Sequence, residues 1–195
     1  MKEHPIIFSP PMVKAILEGR KTVTRRVIKP QPEYHHGAGK RESYSWKGGV
    51  YALNFYPDNS TILDHCPYGK KGDVLWVRET WACEQGTTEK HYFHKASYEL
   101  LISGERLIKK WNSPRFMPRE AARLFLEVKS IRVKRLQDIS EADAVREGLP
   151  ESMTGASKYS SGCFRHLWDS LNADRGYSWE SNPWVWVIEF RRVKN

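Results

Sequence analysis

The sequence predicts an α+β fold in which a mixed sheet, or a small open β-barrel, carries short flanking helices. Three observations point there. Runs rich in β-branched and aromatic residues recur near 20–28, 74–77, 124–136 and 184–193, without the alternating helices of βαβ units. Helical spacing is confined to short segments. At 195 residues, 39% hydrophobic and 28% charged, the chain fits a single domain spanning 1–195 with one core.

The elements follow in order. Pro11 suits a first helical turn, Val13, Ile16 and Leu17 share a face and Gly19 offers a left-handed stop, so a helix spans 11–19. Thr22, Val23, Thr24, Val27 and Ile28 predict an extended segment from Arg20 to Ile28, ended by Pro30-Gln31-Pro32. Residues 30–65 lack any sustained period and read as an insertion, with a short strand at Val50 to Phe55. Gly72-Asp73 feeds a buried strand, Val74-Leu75-Trp76-Val77, that ends in Arg78-Glu79. A second insertion, 84–113, contains a hairpin that includes His91 to Ala96. Leu124 to Leu136 is the longest strand, and a bulge near Ser130 accounts for its change of phase. Ser140 caps a helix through Glu147, with Asp143 completing a variant capping box and Gly148 stopping it. After a loop at 150–162, Phe164, Leu167, Trp168 and Leu171 mark a helix from Cys163 to Asn172, and Trp184 to Val193 closes the chain as a strand.

Composition bounds the function. The net charge of +9 favours polyanions such as nucleic acid, drawn by the basic segment 14–29. Eight Trp, nine Tyr and seven Phe supply flat faces for stacking on bases or for filling a β-rich core. Cys66, Cys83 and Cys163 form no CxxC pair and are expected as reduced thiols. His91 and His94, His35-His36 and Asp64-His65-Cys66 have no metal-ligand spacing, so neither metal nor cofactor is expected. No apolar run approaches membrane length and the N-terminus lacks the stretch of a signal peptide, which makes the cytoplasm the expected location.

Chemistry concentrates in two places. Lys14, Arg20, Lys21, Arg25, Arg26 and Lys29 face one acid, Glu18, and this cluster follows directly on a helix stop. Neighbouring arginines disfavour the charged form of Lys21, so Lys21 can serve as a base with Thr24 as its nucleophile. In a regular strand the two side chains point to opposite faces, so their convergence requires a turn or bulge. Glu147 sits in the last turn of a helix, where a carboxylate meets the negative end of the dipole unless a cation offsets it. A lysine against it would have its pKa raised, opposing the arginines.

Ile7-Phe8 through Gly19-Arg20-Lys21-Thr22-Val23-Thr24-Arg25-Arg26, with Gly72-Asp73-Val74-Leu75-Trp76-Val77-Arg78-Glu79, Phe116-Met117-Pro118-Arg119 and Trp184-Val185-Trp186-Val187-Ile188, resembles the ASCH-domain proteins in their longer phage and prophage form. The resemblance implies a PUA-like β-barrel and a modified nucleoside or RNA as partner. Small bacterial members of that family are amidohydrolases that remove the acetyl group of N4-acetylcytidine with a lysine, a threonine and a glutamate, and Lys21, Thr24 and Glu147 match those positions. After Thr24 the continuation Arg25-Arg26-Val27-Ile28-Lys29-Pro30 is more basic and apolar than in the small hydrolases, and the substrate is expected to differ accordingly. Base binding is assigned to Trp76, Trp81, Tyr68 and Phe116 as stacking faces and to Arg78, Glu79, Arg20, Arg25 and Arg26 as polar partners, with Glu79 the reserve catalytic carboxylate. Two other classes compete with the hydrolase: a noncatalytic module that binds RNA or a modified base, and a ribonuclease.

Overall fold

The architecture is organised by its last strand, whose Trp-Val-Trp-Val-Ile run is apolar on both faces and therefore has to be covered on both. A computed structural model describes residues 1–35, 43–47, 49–51, 62–83, 90–98, 108, 110–149 and 160–193. The chain opens with β1 (Glu3–Ile7), α1 (Pro10–Leu17) and β2 (Val23–Val27), continues through β3 (Glu33–His35), β4 (Ser43–Trp46) and β5 (Gly49–Tyr51), and reaches β6 (Val74–Arg78). Next come β7 (Trp81–Cys83), β8 (Tyr92–His94), α2 (Lys95–Tyr98) and β9 (Phe125–Arg135). Helices α3 (Glu141–Arg146) and α4 (Ser160–Asn172) precede β10 (Trp184–Arg192).

Five strands form a mixed sheet in the order β1-β6-β9-β10-β2. The β1–β6 pair is parallel and the remaining three pairings are antiparallel. Period-two alternation along β10 sends Trp186 and Ile188 into one core with Phe8, Val13, Ile16, Leu75 and Leu126, and Val185 and Val187 into another with Phe164 and Trp168 of α4. The fold is thus mixed α+β. The hydrogen-bonded ladder ends at β1 and β2 and forms no closed barrel among the described residues. Strands β3-β4-β5 and β7-β8 make two small separate sheets.

Several expectations change at their edges. Strand β1 was not foreseen, because His4 and Pro5 interrupt its apolar pattern; its partner β6 supplies the pairing. The extended segment from Arg20 to Ile28 narrows to β2, since Lys21 makes only an isolated bridge to Glu147. The insertion 30–65 holds a three-stranded sheet, and of the strand expected at Val50 to Phe55 only Gly49–Tyr51 is seen, with 52–55 outside the described residues. In the second insertion, Tyr92–His94 pairs antiparallel with Trp81–Cys83, which lies just ahead of it, and Lys95–Tyr98 turns helical. The bulge is present: Glu189 faces Ser130 and Phe190 faces Val128, which leaves Lys129 as the extra residue. Ser140 Oγ accepts from the Asp143 N–H, while the Asp143 carboxylate reaches Arg25 and Arg146. Helix α4 begins at Ser160, ahead of Cys163, and most of the expected loop, 150–159, lies outside the described residues. Among the described residues no helix is long and apolar enough to cross a membrane.

Cys66 closes the first core, and burial pushes its thiol up from 9.0 to about 12. In native protein at mildly alkaline pH, iodoacetamide leaves Cys66 unmodified by peptide mass spectrometry, and urea unfolding exposes it. Folding holds this thiol protonated where the unfolded chain releases its proton, so stability falls as pH rises from 9.0 toward about 12, and Cys66→Ala removes that part of the fall.

Candidate active site

Three local features bring Lys21 and Glu147 together. Helix α1 ends at Gly19, whose φ of +77° turns the chain, and the Lys21 N–H returns to the Ala15 carbonyl at 3.0 Å. Helix α3 ends with Glu147 as its cap, and the Thr22 N–H donates to the Arg146 carbonyl at 2.9 Å. Gly148 has φ +89° and no Cβ; a Cβ there would lie 2.8 Å from Lys21 Cβ and 2.9 Å from Ala15 Cβ. The end of α3 therefore packs directly against Lys21 and α1.

Lys21 is buried with 0% of its side chain exposed. Its Nζ donates to the Val23 carbonyl at 2.9 Å, the Glu147 carbonyl at 2.7 Å and Glu147 Oε2 at 2.7 Å. Burial is the largest influence on its pKa and lowers it from the ordinary lysine value; Glu147 acts in the opposite direction, and Arg26 and Arg25 add to the lowering. The three acceptors equal in number the three hydrogens of an ammonium. The second oxygen of Glu147 accepts from Arg25 at 3.0 Å. From there the chain of ion pairs continues through Asp143, Arg146 and Glu189 to Ser130 beside the bulge.

A cleft of ≈ 660 Å³ opens against this cluster. Thr24, Arg25, Arg26 and Glu147 line it, and Lys21 does not, so Lys21 reaches the cleft through Glu147. Thr24 is buried, yet its hydroxyl makes no hydrogen bond among the described residues. The walls carry Phe8, Trp46, Tyr68, Phe164, Trp168 and Trp186. Arg26 spans the gap between the sheet edges: its guanidinium donates to the Ile7 carbonyl and lies 4.9 Å from the Phe8 ring centre. Burial lowers its pKa from the ordinary value, and its Nε is buried without an acceptor, as is the Nε of Arg25.

Other expected binding residues lie elsewhere. Arg20 pairs with Glu18 and holds the Gly148 and Leu149 carbonyls at 3.1 and 3.0 Å, beside a neighbouring cavity of ≈ 990 Å³ that Glu147 also lines. Glu79 is buried and held by both nitrogens of Arg123, at 2.9 and 3.0 Å, which accounts for an acid at the end of an apolar strand without a ligand. Arg78 donates to the Met117 carbonyl and stacks 5.1 Å from Trp76, while Phe116 is 73% exposed; none of these four side chains, Trp76, Arg78, Glu79 and Phe116, lines the cleft. Phe8, Trp46, His65 and Trp186, which do line it, carried no local signal because four separate segments supply them. Among the described residues no cluster of three or more His, Cys, Asp or Glu side chains is placed to hold a metal.

The arrangement offers an unbonded hydroxyl, a carboxylate backed by a proton-holding amine, and guanidinium donors in a half-enclosed aromatic cleft. Glu147→Gln leaves the Lys21 ammonium buried without its counter-ion and is expected to cost about 3–5 kcal/mol in urea denaturation, with Lys21→Met/Glu147→Leu recovering part of the loss. Gly148→Ala, strained in φ and crowded against Lys21, is expected to cost roughly 2 kcal/mol or more in the same measurement.

No protein-family model, no curated protein and no solved structure matches the chain.

Proposed function

We propose that the protein is an amidohydrolase that removes an N-acyl group from a modified cytidine, of the N4-acetylcytidine type. The observation that carries this reading is the buried Lys21–Glu147 pair, whose Glu147 lines the same cleft as Thr24. The resemblance to ASCH-domain amidohydrolases supports it, and the five-stranded sheet with its edges bridged by Arg26 is compatible with the PUA-like open barrel that we propose for the fold.

In this mechanism Thr24 Oγ attacks the acyl carbon and its proton passes to Glu147, whose charge balance Lys21 maintains. The oxyanion forms beside the Arg25 and Arg26 guanidiniums, both residues lining the cleft. The C–N bond breaks as the proton is delivered to the leaving amine, and water then hydrolyses the acyl-threonine ester. The balance is one amide and one water consumed, one amine and one carboxylic acid formed. Lys21 acts from behind Glu147, so the base is the pair rather than either residue.

A noncatalytic module for a modified base is the second reading. It is favoured by the saturation of all three Lys21 hydrogens, which is also what a purely structural ion pair would require.

Incubation of the purified protein with N4-acetylcytidine separates the two. Cytidine release followed by liquid chromatography is expected from the wild type, with Thr24→Ala and Lys21→Ala reduced by more than about 100-fold. Binding without release by the wild type selects the module, and full turnover by Thr24→Ala removes the covalent step.

A further inference from the structure

The cleft changes character from its floor to its mouth. Along β2 and its continuation, Thr24 and Arg25 are buried, Arg26 is half-buried and Lys29 is exposed. At about 3.3 Å per residue, Thr24 to Val27 spans roughly 10 Å, the scale of one nucleotide. Lys47 and Arg175 join Lys29 as exposed cations in the lining. None of Arg26, Lys29, Lys47 and Arg175 forms an ion pair among the described residues. Among the described residues the one carboxylate lining the cleft, Glu147, is taken by Lys21 and Arg25.

Aromatic rings fix several of these cations without neutralising them. Lys29 Nζ lies 4.7 Å from the Tyr177 ring centre and Lys47 Nζ 4.4 Å from that of Trp46. Lys47 is also held at φ +50°, a left-handed turn conformation that favours glycine or asparagine over lysine. Like charges lining one cleft repel each other, and an anion seated between them relieves that repulsion.

We propose that the mouth of the cleft is a phosphate subsite, formed by Lys29, Lys47 and Arg175 with Arg26 behind them, and that the ligand is a phosphorylated cytosine nucleotide rather than an uncharged nucleoside. This rests on reading the cleft as a cytidine site. The base enters toward Thr24 and Glu147, and the phosphate oxygens remain at the rim, where charge-assisted hydrogen bonds form with little desolvation. A mononucleotide and a nucleic-acid strand supply the same phosphate chemistry.

The test is binding to the full chain, measured by calorimetry for cytidine, cytidine 5′-monophosphate and short cytidine-containing single-stranded RNA and DNA, at low and moderate salt. The expected result is at least a tenfold preference for the monophosphate over cytidine, shrinking with salt. Lys29→Gln/Lys47→Gln, two exposed positions, should bring the ratio toward one, whereas Arg192→Gln, at the exposed end of β10, should not change it. Tighter strand binding assigns the phosphate to a polynucleotide, and equal or weaker strand binding assigns it to a mononucleotide. Equal affinity for nucleoside and monophosphate, no binding of either, or a ratio that the double variant leaves intact would overturn the subsite. None of these ligands carries an acyl group, so a failure of hydrolysis and a failure of the subsite are read separately.

Discussion

A lysine with none of its side chain exposed constrains everything around it, because a buried ammonium has to be met by acceptors on every hydrogen. Two of the three acceptors belong to Glu147 and the third to Val23, at the start of β2. To deliver Glu147, α3 has to end against α1, and this contact requires Gly148. The carboxylate in turn reaches Arg25 and through it Asp143, so the placement of a helix more than a hundred residues along the chain is dictated by the charge on one N-terminal side chain.

The sheet and the site share this dependence. Strand β10 lies between β9 and β2 and buries side chains on both faces, which fixes Thr24 opposite Ile188 and sets it in the lining of the cleft. On the far side the ion-pair chain ends at Glu189 and Ser130, where the bulge at Lys129 shifts the register. The site is therefore coupled to the sheet through hydrogen bonds on one side and packing on the other. The proposed phosphate subsite adds an outward gradient, from neutralised charge at the floor to cations without ion-pair partners at the rim.

Much of this was legible in the sequence where the signal is local. Residue periodicity located α1, β9, α4 and β10, β-branched content and a turn signal located β2 and β6, capping residues located α3, and the phase slip along β9 located its bulge. Glu147 stood out as an acid at the wrong end of a helix, and Lys21 and Arg25 are the cations that compensate it. Long-range partners were not legible. Glu79 read as a ligand group because Arg123, its partner 44 positions away, has no signature in the sequence. The flat walls of the cleft, Phe8, Trp46, Tyr68 and Trp186, come from segments without a common pattern, and β1 was hidden by its own proline.

That proline and Arg26 have a further consequence. Among the described residues the sheet ends in two unpaired edges, and exposed strand edges are templates on which other chains can add. On β1, Pro5 removes a backbone donor; on β2, Arg26 places a cation on the strand and occupies the Ile7 carbonyl of the opposite edge. Arg26, which also lines the cleft, thus discourages intermolecular strand addition, so a substitution at this position that loosens the ligand cleft also unguards the protein against self-association.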